Sequence, residues 1–299
     1  MTAIALRRDD ARLALAGLVF GALVIGTTPI LVRLAACGPA AAGFWRLTFA
    51  APLLAMLAGV RTGGLGTPSR AMVLAGIFFA LDLGCWHYGI RYTSVANATV
   101  LPNLTPIVVT LVGWFAFKER PRPLFVVGMA GAIAGAVAMA EAAAPSRPGP
   151  LPHVGDLLSA ATALWYAFYF LAIRSARQTH ATMTVMLWSA LVGAPLLMAT
   201  ALAMHEAILP ATALGWAAVA GLGLAHVFGQ GSIAWALGRL PASTAAVTVL
   251  VQPVAAALLA YLMFGETLTW LQTVGAGVAL AGIVVAQRGQ SLPPNSQPA

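Results

Sequence analysis

Charged residues are scarce in this chain of 299 residues. Asp, Glu, Lys and Arg together make up 8% of the sequence, whereas 60% of the residues are hydrophobic. Soluble domains carry about 25% charged residues, so the composition excludes an ordinary soluble globule. A chain of this length holds roughly ten apolar spans of about 20 residues. The sequence therefore predicts an integral membrane protein with little room for a soluble domain.

Cysteine is nearly absent as well. Cys37 and Cys85 form neither a metal-ligand spacing nor a disulfide framework. Cys37 ends a Leu-Ala-Ala-Cys run that resembles a bacterial lipoprotein cleavage site. However, the apolar stretch before it is about 20 residues long, which exceeds the hydrophobic region of a signal peptide, and Arg33 interrupts it. A retained first membrane helix is the favoured interpretation.

Motifs of enzymes and cofactor sites are also missing from the sequence. It contains no phosphate-binding glycine loop, zinc motif or nucleophile elbow. The segment 229–232, Gly-Gln-Gly-Ser, weakly resembles the Gly-x-Ser of intramembrane serine proteases, with its glycine one residue out of register. We expect a protein that is not an enzyme and that needs no cofactor and no metal.

The net charge of +8 follows membrane topology rather than nucleic-acid binding. The basic residues are dispersed over short loops, and no basic helix or patch forms. With a cytoplasmic N-terminus, twelve of the sixteen Lys and Arg residues fall on the cytoplasmic side. The remaining four are Arg33, Arg46, Arg91 and Arg147. This positive-inside bias predicts that both termini are cytoplasmic.

An internal repeat divides the chain. The pattern Pro106…Phe117-Lys118-Glu119 recurs 147 positions later as Pro253…Phe264-Gly265-Glu266. The same offset pairs Gly128 with Gly275. Each copy contains five apolar spans, and a unit that crosses a bilayer an odd number of times is followed by an inverted copy. Inverted repeats are typical of secondary transporters.

Apolar runs between turn residues predict an all-α protein with ten transmembrane helices, arranged as two inverted five-helix repeats. Matching prolines in spans 2 and 7, Pro52 and Pro195, favour ten spans over the eight or nine that a re-entrant segment would leave. The approximate spans are 12–33, 40–60, 70–91, 94–117, 122–141, 155–175, 182–204, 211–237, 243–264 and 270–288. The predicted units are an N-terminal segment 1–11, a first repeat 12–142, a loop 143–154, a second repeat 155–288 and a polar tail 289–299.

Ionisable residues within the membrane are energetically costly, so each one indicates either a functional role or a specific packing contact. Asp82 lies about 13 Å from the outer end of span 3 at 1.5 Å per residue. We expect Asp82 to be either a proton-coupling or ammonium-binding residue, or a residue in a buried packing contact, for which Arg46 is within reach. His87 is one turn nearer the outside, where an outer-interface histidine is the alternative to a site residue. His226 lies in the middle of span 8, facing either a cavity or the helix packing.

Aromatic residues near the span ends fit an interfacial belt, but Trp165 lies about ten residues into span 6. Tyr169 follows at i+4, on the same face, with Tyr166 beside it. This aromatic face suits a solute with an apolar body. A stripe that packs helices together is the alternative.

Prolines inside spans free backbone carbonyls and bend helices, and membranes tolerate them beside a cavity or a neighbouring helix. Polar residues accompany them in the pairs Pro102-Asn103, Thr105-Pro106 and Gln252-Pro253. Thr105 and Gln252 are equivalent in the repeat, which predicts a central site at that depth. Pro29, Pro102, Pro106 and Pro253 are also candidate hinges. Gly128 and Gly275 predict close helix packing, within the chain or across a dimer.

These repeat motifs, together with a Phe44-Trp45-Arg46 start of span 2, resemble the drug/metabolite transporter (DMT) superfamily and specifically its EamA family. The resemblance covers about residues 12–288. Within the family the chain looks like the YddG-type exporters of aromatic and neutral amino acids. That resemblance implies a central cavity formed by spans 1, 3, 4, 6, 8 and 9. The candidate substrate-binding residues are Asp82, Trp86, His87, Asn103, Thr105, Trp165, Tyr169, His226 and Gln252.

We therefore expect an inner-membrane exporter of small metabolites, foremost neutral and aromatic amino acids, that works by alternating access of the two repeats. Its partners are a small solute and the lipid bilayer, with no nucleic acid, and it acts as a monomer or a dimer. Export of cationic drugs or other metabolites is the alternative within the superfamily. A non-transporting receptor or scaffold is the alternative from another class. Proton coupling and facilitated diffusion both remain open.

Overall fold

The computed structural model describes residues 8–62, 65–93, 101–118, 120–142, 150–264 and 269–289. These ranges form α-helices joined by short turns, together with one 3₁₀ turn (Leu101–Leu104) and one π-helical turn (His226–Gln230). The α-helices, in chain order, are α1 Arg8–Ile25, α2 Thr28–Leu34, α3 Pro39–Thr62, α4 Arg70–Tyr92, α5 Thr105–Phe117, α6 Pro123–Glu141, α7 Pro152–Ala176, α8 Thr182–Ala203, α9 Ala213–Ala225, α10 Gly231–Leu237, α11 Ala242–Thr248, α12 Val251–Phe264 and α13 Trp270–Arg288.

Within the described residues, ten apolar helical stretches correspond to the ten predicted spans. Seven are long and apolar enough to cross a membrane by length and composition. Three shorter apolar helices, Leu101–Ala116, Pro123–Met139 and Ala242–Ala256, fall within spans 4, 5 and 9. Exposed Leu, Val and Phe side chains cover the outside of the bundle, as expected for a surface that faces lipid tails.

Helix packing shows the inverted repeat. Three close packing pairs join equivalent spans of the two halves: α3 with α8, α6 with α13, and α5 with α11. The contact of α4 with α7 has its counterpart in the contact of α1 with the π turn and α10. Two five-helix units related by a pseudo-two-fold axis produce this pattern, which confirms the predicted fold class.

The sequence predicted span 1 as one helix over 12–33, but the structure divides it. α1 ends at Ile25 and α2 begins at Thr28, with Pro29 in the first turn of α2. Proline has no N–H and cannot continue the hydrogen-bond ladder. Two threonine hydroxyls satisfy the carbonyls at the break: Thr27 Oγ1 donates to Val24 O (2.7 Å) and Thr28 Oγ1 donates to Ile25 O (2.8 Å).

Spans 4, 8 and 9 are also irregular in the middle. Span 4 contains the 3₁₀ turn before α5, span 8 contains the π turn, and span 9 is divided between α11 and α12. The break in span 1 meets span 9 directly, because Gly26 packs against Ala255 and the carbonyl of Gln252. Backbone irregularity within a membrane is tolerated where protein or a cavity surrounds it. The breaks therefore mark the central region of the bundle.

Candidate functional site

A cluster of buried polar side chains occupies the irregular central region. Arg46 of α3, Asp82 of α4, and His226 and Gln230 of the π turn are 4%, 7%, 0% and 1% exposed, respectively. Four helical segments from both halves of the chain supply these residues and their tyrosine neighbours on α7. Polar groups at this depth are costly unless they are paired. Their concentration in one place therefore indicates a functional site.

The ring of Phe79 organises this cluster. The guanidinium carbon of Arg46 lies 5.3 Å from the centroid of the Phe79 ring, a distance typical of a cation–π contact. The rings of Tyr169 and His226 lie 4.7 Å and 5.3 Å from the same ring, centroid to centroid. Asp82 is three residues after Phe79 on α4 and therefore shares its face. One aromatic side chain thus contacts a guanidinium, a phenol and an imidazole, and a carboxylate lies on the same helix face.

Several buried polar atoms in this region lack a hydrogen-bond partner among the described residues. They are Nε of Arg46, both ring nitrogens of His226, and the side-chain amide nitrogens of Gln230 and Gln252. Buried polar atoms are satisfied in the great majority of cases. A set of unsatisfied atoms around one point is therefore what a site for a polar ligand requires.

Two tyrosines of α7 border the same region. The hydroxyls of Tyr166 and Tyr169 lie close to the side chain of Gln230, and that of Tyr166 is also close to Gln252. Tyr169 is fully buried, and its hydroxyl approaches the sulfur of Met186 at 3.8 Å. The tyrosine rings stack on one another, with centroids 5.9 Å apart. This wall of the site is aromatic with polar tips.

Trp165 contacts α4 at a different place from Tyr169. Its indole stacks on Phe78 with centroids 6.1 Å apart and lies beside the sulfur of Cys85. Trp165 is partly exposed, whereas Tyr169 is not. The predicted aromatic face exists, but its two members contact neighbouring side chains of α4, Phe78 and Phe79.

The prolines and their polar neighbours have mixed environments. Thr105 uses its hydroxyl locally, because Oγ1 donates to Pro102 O at 2.7 Å and also lies 3.4 Å from Ala163 O. This contact satisfies a carbonyl that a proline leaves free. Asn103 and Gln252, in contrast, keep amide nitrogens without a partner among the described residues. Of the two repeat-equivalent residues, Gln252 retains free donors and Thr105 does not.

Two predicted site residues, His87 and Trp86, lie outside the Phe79 cluster. His87 Nδ1 bonds the carbonyl of Pro39 at 2.8 Å, at the start of α3. It lines a cavity of about 230 Å³ together with Cys37, Gly38 and Arg91. The Trp86 ring lies 5.1 Å from that of His87, centroid to centroid. The structure therefore places His87 in a separate pocket at the Pro39 end of the bundle, with Trp86 beside it.

Sequence reasoning did not select Arg46, Gln230, Tyr166 or Phe79 as site residues. Arg46 appeared only as a partner for Asp82, and Gln230 only within a protease-like segment. A signal for Gln230 was present, because it follows His226 by four residues and i, i+4 residues share a helical face. For Phe79 the sequence holds no comparable signal, since an aromatic residue in an apolar helix is ordinary.

Described residues hold no group of three or more His, Cys, Asp or Glu side chains that could bind a metal ion. Four of the six glycine and proline positions predicted for helix packing or hinges have defined places in the described helices. Gly128 and Gly275 lie in the contact between α6 and α13, inside one chain. Pro29 and Pro106 occupy the first turns of α2 and α5, where the missing N–H costs least.

Comparison with known proteins gives the family. The model of the EamA-like transporter family matches the chain twice, over residues 12–140 and 153–287. An uncharacterized transporter of Archaeoglobus fulgidus is 25% identical over 279 residues, which cover 91% of this chain and 96% of the relative. The pseudopaline exporter CntI of Pseudomonas aeruginosa is 28% identical over 197 residues, 66% of each chain.

A crystal structure of a protein with 22% sequence identity resembles this chain in fold, with a TM-score of 0.77 over 92% of this chain and 98% of that one. The two family matches cover separate parts of the chain. Because they cover most of the chain, the protein belongs to the EamA-like transporter family and is a membrane transporter.

Proposed function

We propose that the protein exports small metabolites, foremost neutral and aromatic amino acids, by alternating access around the Phe79 cluster. The observation that carries this proposal is the set of unsatisfied donors beside aromatic rings at the centre of the bundle. A solute with an apolar body and polar ends matches that lining. The resemblance to YddG-type exporters points to the same class of solute, and CntI is a relative whose name describes an exporter.

Roles for the predicted site residues follow from this proposal. Asp82, Tyr169, His226 and Gln252 surround the solute at the centre, with Trp165 at the edge of the aromatic wall. Asn103 contributes its free amide. His87 and Trp86 act at the pocket near Pro39, on the path of the solute. Thr105 positions the backbone of the 3₁₀ turn.

Movement of the solute requires the two halves to rock against each other. The mid-span breaks at Pro29, Pro102, Pro106 and Pro253 are where we expect bending, since a proline has no N–H to bond the carbonyl four residues before it. The tight contact of α6 with α13 is the rigid element around which such bending takes place. The proposed units are residues 12–142 and 155–288.

We place the protein in a bacterial inner membrane with both termini cytoplasmic. The positive-inside bias of its loops supports this orientation. The C-terminal end of α3 and the loop that follows it then face the cytoplasm, and the pocket at His87 faces outward.

Export of cationic solutes is the second candidate, because a buried carboxylate, Asp82, lies in the site. The nearby guanidinium of Arg46 weakens this alternative, since a cation beside it is repelled. Proton coupling would also use Asp82. A variant Asp82→Asn with equal transport across a range of pH would remove Asp82 from any coupling scheme.

The proposal is tested by flux into liposomes that contain the purified protein. Radiolabelled phenylalanine, tryptophan, methionine and threonine are supplied with and without a pH gradient. We expect saturable movement of at least one of them that empty liposomes do not show. If the folded protein moves none and instead moves cationic drugs, the amino-acid class is wrong and the cationic alternative holds.

A further inference from the structure

Resting on the proposed function, we infer that Arg46 and Asp82 form a binding site for a zwitterion. In this site Arg46 binds the carboxylate of an α-amino acid and Asp82 binds its ammonium group. The solute class then narrows from small metabolites to molecules that carry an ammonium and a carboxylate group on the same carbon atom.

Arg46 is a cation without an anion in contact. It is 4% exposed, and its Nε has no hydrogen-bond partner among the described residues. The face of Phe79 fixes one side of the guanidinium. A buried cation that lacks a hydrogen-bonded anion is unfavourable, and truncating the partner of a buried pair costs several kcal/mol for this reason. The solute can therefore supply the missing anion.

A carboxylate suits this position because a guanidinium presents paired N–H donors that match its two oxygens. The side-chain amide nitrogens of Gln230 and Gln252, which have no hydrogen-bond partner among the described residues, are additional donors in the same region. A phosphate group would need further cations. Asp82, in the same cluster, disfavours any solute with a double negative charge.

Asp82 and Arg46 interact electrostatically, but no ion pair within 4.0 Å joins them in the described residues. Their side chains therefore compensate each other's charge only in part. A zwitterion pairs with both side chains at once, because its carboxylate is opposite in charge to Arg46 and its ammonium group is opposite in charge to Asp82. Its ammonium group offers three donors to the Asp82 carboxylate, which can only accept.

The arrangement discriminates against solutes with a single charge. An amine without a carboxylate leaves Arg46 unpaired and adds a second cation near it. A carboxylic acid without an amine leaves Asp82 unpaired and adds a second anion. Sites built around buried polar groups reject ligands that leave those groups unpaired by large factors.

Matched ligands test this inference in the same liposomes. The first set is phenylalanine, 2-phenylethylamine and 3-phenylpropanoate, and the second is leucine, 3-methylbutylamine and 4-methylpentanoate. Within each set the side chain is constant and the two charged groups are removed one at a time. We expect the protein to move the amino acid at least about tenfold faster than either analogue.

Variants of Arg46 and Asp82 test which charged group of the solute each residue binds. Arg46→Gln should slow the amino acid at least about tenfold and leave the amine unaffected or faster, because the repelling cation is gone. Asp82→Asn should slow the amino acid and accelerate the carboxylic acid for the corresponding reason. Arg46→Lys, which keeps the charge, should restore part of the amino-acid flux. Arg33→Gln and Asp10→Asn remove the same charges at exposed positions and should change none of the rates.

Melting temperature and monodispersity of each variant separate loss of binding from loss of folding. The inference is overturned if Arg46→Gln and Asp82→Asn slow all three ligands by the same factor, since that result indicates a structural charge pair. It is also overturned if the unaltered protein moves the amine or the acid as fast as the amino acid, while the proposed export stands. If no amino acid moves at all, the proposed substrate class and the zwitterion site fail together.

Discussion

Glu206 holds the N-terminus of α3 from the loop between α8 and α9. Its carboxylate accepts hydrogen bonds from the backbone N–H of Ala40 (3.2 Å) and Ala41 (3.0 Å), and from the hydroxyl of Tyr88. A carboxylate is favourable at a helix N-terminus, where N–H groups lack partners. Gly38 permits this approach, since a Cβ there would overlap the Glu206 side chain. One side chain thus joins α3, α4 and the α8–α9 loop.

Removing this side chain should destabilise the protein. We expect Glu206→Ala to lower the free energy of unfolding by about 1–3 kcal/mol, because two N–H donors and a phenol lose their acceptor. Glu206→Gln should lose less, since its amide oxygen still accepts one bond. The melting temperature in detergent measures the effect, with Glu141→Ala, at an exposed helix end, as the control. Equal melting temperatures for Glu206→Ala and the control would contradict the role of the carboxylate.

Cys37, in the turn between α2 and α3, should react slowly with alkylating reagents. Burial and the Glu206 carboxylate raise the pKa of its thiol from 9.0 to about 11. Because the thiolate is the reactive form, its labelling rate should rise about tenfold per pH unit up to about pH 10. In a Cys85→Ala background, Glu206→Gln should accelerate labelling at pH 8, since a negative charge that disfavours the thiolate is removed. A rate that already reaches its plateau at pH 9 would show that the pKa is not raised.

At the residue scale, the sequence indicated how deep a side chain lies in the membrane but not which way it points. Asp82, His226 and Gln252 were selected because they are polar in mid-span, and the structure brings all three to the central region. His87 was selected for the same reason but lies in the pocket at Pro39. Whether a residue faces the centre depends on how several helices cross, which no single helix determines. Phe79 could not be recognised for that reason.

At the scale of elements, the contact of α6 with α13 depends on glycine. A Cβ on Gly128 would overlap the backbone of Ala286, and one on Gly282 would overlap that of Ala132. Small residues allow two helix backbones to approach closely within a membrane. The sequence predicted this packing from glycine spacing alone and left open whether it joins two chains. In the structure these glycines are used within one chain.

The same helix provides a matched pair of substitutions. Gly282→Leu should separate α6 from α13 and destabilise the protein by roughly 1–3 kcal/mol or more, because added volume in a packed contact is unfavourable. Gly277→Leu, also in α13, places the same side chain where no atom lies within 4 Å. We expect a lower melting temperature and aggregation for the first variant only. Similar melting temperatures for the two would show that the close contact is not needed for stability.

Irregular elements were the least predictable part of the fold. Pro29 predicted a bend, and α1 does end before it, but nothing in the segment 226–230 predicted a π turn. A π turn inserts one extra residue into a helix and is frequent at functional sites. Here it carries His226 and Gln230 into the central cluster. Its formation depends on tertiary packing, which a pattern of apolar residues does not contain.

At the scale of the whole molecule, the 147-residue repeat was enough to predict the architecture. The repeat set the number of spans per half, and an odd number requires inversion. Helix packing then relates the halves through α3 with α8 and α6 with α13. The polar side chains of the central cluster, however, do not follow the repeat. Thr105 bonds to carbonyls, while its equivalent Gln252 has free donors, so the central cluster is asymmetric in a symmetric scaffold.

Two loops can establish how the protein is oriented in the membrane. Thr67 follows the C-terminal end of α3, whereas Leu209 lies in the loop whose Glu206 contacts the N-terminus of that helix. Both are exposed, so cysteines there are accessible. Since the positive-inside bias places the loop after α3 in the cytoplasm, Leu209→Cys should react with an impermeant maleimide on intact spheroplasts. Thr67→Cys should react only after permeabilisation, each in a Cys37→Ala, Cys85→Ala background. The opposite pattern would reverse the proposed orientation, and labelling of both from outside would show that α3 does not separate the two loops across the membrane.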